Sequence, residues 1–145
     1  MHSFFRRFRS LLSVILVVSS PLAAAPSLRL NFGADYWFDR AGQFSATLGI
    51  LGRLTREVAA GVRVGALINT QPATAGIPID LDLRVSLSQF YLEGTAGPWI
   101  LFTDSPVRAH AAFGFGLQSG SISFGLELGW LDPAALLGAR LGIRL

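Results

Sequence analysis

His110 is the only histidine beyond the N-terminal segment, and Asp104 and Ser105 stand just before it. A histidine that accepts a proton from a serine hydroxyl, oriented by a carboxylate, makes a nucleophile for acyl transfer or hydrolysis. The residue types are present, but neither their spacing nor their flanks form a known catalytic motif. A lone polar histidine is more often structural. Asp80 and Asp82 share one strand face and offer oxygens to a hard cation, although two carboxylates are a thin set for Ca²⁺. With so little histidine and no cysteine, neither a transition-metal site nor a disulfide is expected, and no motif calls for a cofactor.

The elements that position these residues announce themselves by a period of two. In the run from Gln43 to Leu54, Phe44, Ala46, Leu48 and Ile50 point one way, and Gln43, Ser45, Thr47 and Arg53 the other. The pattern predicts eight strands: Leu28 to Phe38, Gln43 to Leu54, Val58 to Ile68, Ile79 to Glu93, Trp99 to Thr103, Val107 to Gln118, Ser121 to Trp130 and Leu137 to Leu145. Parity slips at Ser88-Gln89, which reads as a bulge. Gly94 to Gly97 reads as a turn, and Asn69 to Pro78, with its two prolines, as the longest loop. The fifth strand has no clear alternation and is kept because closed bacterial barrels prefer an even count.

The polar face is dominated by Gly, Ser and Ala, and the chain has no lysine. A soluble sheet would turn many charges to water. These strands are better served by an apolar face in lipid and a small-polar face inside a narrow barrel, as an antiparallel up-and-down transmembrane β-barrel. Most segments approach the roughly 9–11 residues that a tilted strand needs to cross a bilayer. Its interior would hold Arg29, Asp35, Arg53, Arg63, Arg84, Arg108, Glu127, Arg140 and Arg144, with Asp80, Asp82 and His110. Buried charges need partners, so an Arg–carboxylate network is expected, with Glu127 meeting Arg140, Arg108 or both. With the N-terminus periplasmic, Tyr36, Phe38, Phe44, Phe102 and Trp130 fall near the outer rim. Phe90, Trp99, Phe115 and Phe124 fall toward the inner rim, giving two aromatic girdles.

Residues 1–25 read as a secretory signal: Arg6, Arg7 and Arg9, a short apolar run from Leu11 to Val18, then Ala23-Ala24-Ala25. Residues 26–145 form the barrel domain. Taking those three arginines from the chain's 12 basic residues leaves nine, against 9 acids. The remaining charge balances, so the basic composition does not argue for nucleic-acid binding.

Signal, eight amphipathic strands, glycine-rich inner face and the terminal run Leu137-Gly-Ala-Arg-Leu-Gly-Ile-Arg-Leu145 together resemble the OmpA/OmpX type of small outer-membrane β-barrel. The resemblance implies a protein of the Gram-negative outer membrane, contacting its lipids, lipopolysaccharide included. It implies recognition of the last strand by the barrel-assembly machinery, although such strands commonly end in Phe or Trp rather than Leu145. Three functions follow as expectations. The first is a non-enzymatic barrel with a structural or envelope-integrity role. The second is a secreted lipocalin-like barrel, with the apolar face turned inward around a ligand. The third is a lipid A acyltransferase or deacylase using His110, with Ser105 and Asp104 beside it.

Overall fold

The computed structural model describes residues 25–39 and 41–145, so the signal read over residues 1–25 lies, but for Ala25, outside the described residues. Eight strands follow in chain order: β1 (Ser27–Trp37), β2 (Ala41–Arg53), β3 (Val58–Thr70), β4 (Ala73–Leu87), β5 (Phe90–Leu101), β6 (Val107–Ser119), β7 (Ile122–Leu131) and β8 (Ala134–Arg144). Each pairs antiparallel with the next, and β1 pairs with β8 from Arg29↔Arg144 to Trp37↔Leu136, closing the barrel. Beyond this seam the Leu145 amide donates to the Leu28 carbonyl at 2.9 Å. Closure leaves no sheet edge with unpaired backbone groups. The strand ends define two mouths. The proximal mouth carries the start of β1 and the end of β8; the distal mouth carries the β1–β2, β3–β4, β5–β6 and β7–β8 turns.

Three expectations about β3 to β5 are corrected. The supposed loop from Asn69 to Pro78 is strand on both sides of a tight turn at Gln71-Pro72. Prolines are accommodated where the ladder breaks: between Val64↔Ile79 and Leu67↔Gly76 at Pro78, and between Pro78↔Trp99 and Leu81↔Ala96 at Pro98. The parity slip at Ser88-Gln89 is a two-residue hairpin turn, not a bulge, with Ser88 at φ 60°. Gly94 to Gly97 is not a turn but the middle of a full-length β5. Gly97 sits there because a Cβ would lie 2.9 Å from the Asp80 Cα of the neighbouring strand.

The alternation sorts the barrel into two surfaces. Outside stand large apolar side chains at high exposure, including Leu81 (68%), Phe90 (61%) and Val107 (65%), on every side of the barrel. A soluble monomer rarely shows water a continuous apolar surface of this kind. Inside lie the buried polar residues, among them Asp35, Arg63, Asp80, Asp82, Arg84, Glu93, His110, Glu127 and Arg140. The lipocalin-like alternative is overturned here: its cavity would be apolar, and this one carries five buried carboxylates, Asp35, Asp80, Asp82, Glu93 and Glu127.

Candidate functional site

An eight-stranded barrel is just wide enough for side chains to fill. This interior is filled in three levels. The distal level is apolar. Trp37, Leu67, Trp99, Leu101, Leu131 and Leu136 form one buried cluster, and the Trp37 indole N–H donates to the Leu131 carbonyl at 2.8 Å. Beside it the Gln43 amide donates to Asn69 Oδ1 at 2.7 Å.

The middle level is an ion network centred on Arg63. Its Nε donates to Asp80 Oδ2 at 3.2 Å on the adjacent strand. Its Nη1 lies 3.6 Å from Glu93 on β5, and its Nη2 3.8 Å from Glu127 on β7. Glu127 receives the Arg140 Nη2 at 2.6 Å, and Arg140 Nη1 donates to Asp35 at 2.6 Å. Glu93 is also bound by Arg84 Nη1 at 2.9 Å. Asp80 takes two further donors. The Trp99 indole N–H lies 3.0 Å from both its oxygens, and His110 Nδ1 lies 2.8 Å from Oδ1. The network therefore ties every strand except β2. Arg can do this because its planar fork serves several acceptors at once. Gly33 and Gly138 make room for it. A Cβ at Gly33 would come within 2.5 Å of the Arg140 guanidinium, and one at Gly138 would collide with the Asp35 carboxylate.

The proximal level is basic. Arg29, half-buried, donates to Ser123 Oγ at 2.9 Å, and the Arg84 guanidinium stacks 3.7 Å from the centre of the Tyr91 ring. Asp82 is buried below, with its Oδ1 unpartnered.

Several expected site residues stand elsewhere. Arg53 and Arg144 are exposed at the proximal rim, where inward parity at a strand end points out of the mouth rather than into the interior. Arg108 turns to the distal turns, donating to the Ser105 and Asp132 carbonyls, and leaves Glu127 to Arg140 and Arg63. Trp99 is no girdle residue. It is 1% exposed, lies at the distal end and stacks on His110 with ring centres 4.1 Å apart. The other girdle positions face outward: Tyr36, Phe38, Phe44, Phe102 and Trp130 at the distal end, Phe90, Phe115 and Phe124 toward the proximal one. Ser105 and Asp104 lie in the exposed β5–β6 turn, whereas His110 is buried against Asp80, so the three do not form a catalytic set. Asp80, engaged by three donors, and Asp82 do not form a cation cage. Among the described residues, no group of three or more His, Cys, Asp or Glu is placed to hold a metal ion. Glu93 and the inward place of Trp99 escape the sequence reading because the turn at Ser88-Gln89 hides the start of β5. Trp37 lies on β1, where its parity, opposite to that of Tyr36 and Phe38, is the signal that finds it.

No protein-family model and no curated protein matches the chain. Solved structures do. One from the de novo design of transmembrane β-barrels superposes with a TM-score of 0.65 over 82% of this chain and 95% of its own, at 15% identity. The solution NMR structure of a de novo designed barrel, TMB2.3, gives 0.65 over 84% and 97%, at 19% identity. The fold is that of a transmembrane β-barrel. At these identities the likeness is one of architecture: strand number, closure and chain length. For a transmembrane barrel the sorting of surfaces follows directly, since apolar side chains meet lipid and charges pair inside.

Proposed function

We propose that the chain is a small integral protein of the Gram-negative outer membrane, non-enzymatic, with a structural or envelope-integrity role and an interior closed to solutes. The observation that carries this reading is the filled interior. An apolar layer around Trp37 and Trp99 caps an ion network anchored on Arg63. An open pore would need a continuous polar path between the mouths, and the apolar layer interrupts it. The signal-like segment and the terminal strand support the outer membrane as the location. The short turns, the longest running from Phe102 to Pro106, leave little surface for adhesion. His110 supports stability here, held by Asp80 and Trp99 as a strut between β4, β5 and β6.

Reconstitution into planar bilayers tests the closed interior. No unitary conductance above background is expected, and reproducible channel steps at neutral pH would overturn it. Mass spectrometry of lipid A from overexpressing cells tests the non-enzymatic part. An unchanged acylation profile is expected; a change abolished by His110→Ala would establish an enzyme instead.

A further inference from the structure

The two mouths differ in charge. At the distal end Asp39, Asp104 and Asp132 are nearly balanced by Arg40, next to Asp39 in sequence, and by Arg108, which donates to the turn carbonyls. At the proximal end a cavity of about 260 Å³ is lined by Arg29, Arg53, Arg56, Arg84 and Arg144, with Glu57 as the one carboxylate in its wall. The five arginines come from β1, β2, the β2–β3 turn, β4 and β8, so the fold gathers them from elements far apart in sequence.

Their hydrogen-bonding capacity is largely unused. Each guanidinium carries five N–H donors. Arg29 makes one hydrogen bond to Ser123 Oγ, and Arg144 one long contact of 3.5 Å to the Gly120 carbonyl. Among the described residues, Arg53 and Arg56 make no ion pair. Arg84, buried at the floor, is held by Glu93 at 2.9 Å and Gln118 at 3.2 Å, while its Nε and that of Arg29 have no partner. Asp82 and Glu93 lie deeper and offset part of the charge. Glu57 is the one carboxylate at the rim itself, and among the described residues it forms no ion pair with Arg53, Arg56 or Arg144.

We propose that this proximal mouth is a binding site for a phosphate group. Several guanidinium forks converging from different strands suit a tetrahedral anion with several acceptor oxygens. Arg29 and Arg84 would position the group, and Arg53, Arg56 and Arg144 would close over it. The phosphate could belong to an anionic phospholipid of the leaflet at this mouth or be free in solution. Only the lipid source rests on the membrane reading; free phosphate would bind in micelles whatever membrane the protein occupies.

The test uses the full barrel in zwitterionic detergent micelles. In one arm, phosphatidylglycerol or phosphatidylcholine is added and retained lipid is read by native mass spectrometry. In the other, sodium phosphate is titrated and followed by ³¹P line broadening. An arginine at an anionic lipid surface is worth about fivefold in partitioning. Retention of phosphatidylglycerol over phosphatidylcholine should therefore fall about tenfold or more in the double variant Arg53→Gln/Arg56→Gln. Both side chains are exposed, so folding should survive, as a gel-mobility shift on boiling would verify. Arg108→Gln, at the other mouth, should leave retention unchanged. Lipid preference without phosphate broadening assigns a headgroup, and saturable broadening without lipid preference assigns free phosphate; either supports the site. Neither effect in the wild type, or an equal loss in Arg108→Gln, overturns it.

Discussion

Arg63→Ala will lower the unfolding free energy of the barrel by about 3–5 kcal/mol, the usual result of stripping one partner from a buried charge network. Arg63 touches Asp80, Glu93 and Glu127 on three different strands. Five buried carboxylates would then face Arg84, Arg140 and the half-buried Arg29. The surplus negative charge must be protonated or hydrated within a narrow interior, and both routes cost stability. Glu127→Gln alone should lower the unfolding free energy less, because Arg140 keeps Asp35 at 2.6 Å. Combined with Arg63→Ala, it should lower stability by less than the sum of the two, since the second change removes a charge that the first left unpaired. Urea unfolding in lipid vesicles, followed by tryptophan emission, measures all three. Equal stability of Arg63→Ala and wild type would show that the network does not hold the strands.

Trp99→Ala will also cost about 3–5 kcal/mol, whereas Trp130→Ala will cost much less. Both are tryptophans near the distal end, yet Trp99 is 1% exposed and Trp130 50% exposed. Removing Trp99 opens the apolar layer, takes a donor from Asp80 and takes the stacking partner from His110. Removing Trp130 strips area from the outer face only. Single-tryptophan variants separate the two by quenching with brominated lipids. Emission from a variant keeping Trp130 should fall strongly, and from one keeping Trp99 hardly at all. Equal quenching would place Trp99 in a lipid-facing girdle, the position expected from sequence.

The chain's legibility follows from what alternation does and does not encode. A period of two reports which side of a sheet a residue takes, so the facing of Arg63, Glu127 and Arg140 could be read from β3, β7 and β8 directly. It does not report depth. Arg53 and Arg144 share inward parity with Arg63, but at strand ends that direction leads past the rim to solvent. Nor does it locate a turn built without glycine, proline or asparagine. Ser88 takes a positive φ with no such marker, so from sequence β4 runs on into β5, and only the last three residues of β5 read as a strand of their own. The facing of Trp99 is obscured with it. Its bulk and apolarity argue for lipid, and only the register of β5 with β4 shows its indole N–H reaching Asp80. The pairing of His110 with Asp80 is hidden likewise, because the partners stand far apart in sequence, and the nearer Asp104 and Ser105 are the neighbours that sequence alone offers the histidine.

The membrane barrel itself is tested most directly by heat-modifiability in membranes isolated from an expressing Gram-negative host. After alkaline extraction, unboiled and boiled samples are compared on an SDS gel. A mobility shift in the alkali-resistant fraction is the predicted result, since a closed barrel with paired charges inside resists SDS until heated. A soluble protein that migrates identically in both samples would contradict the account.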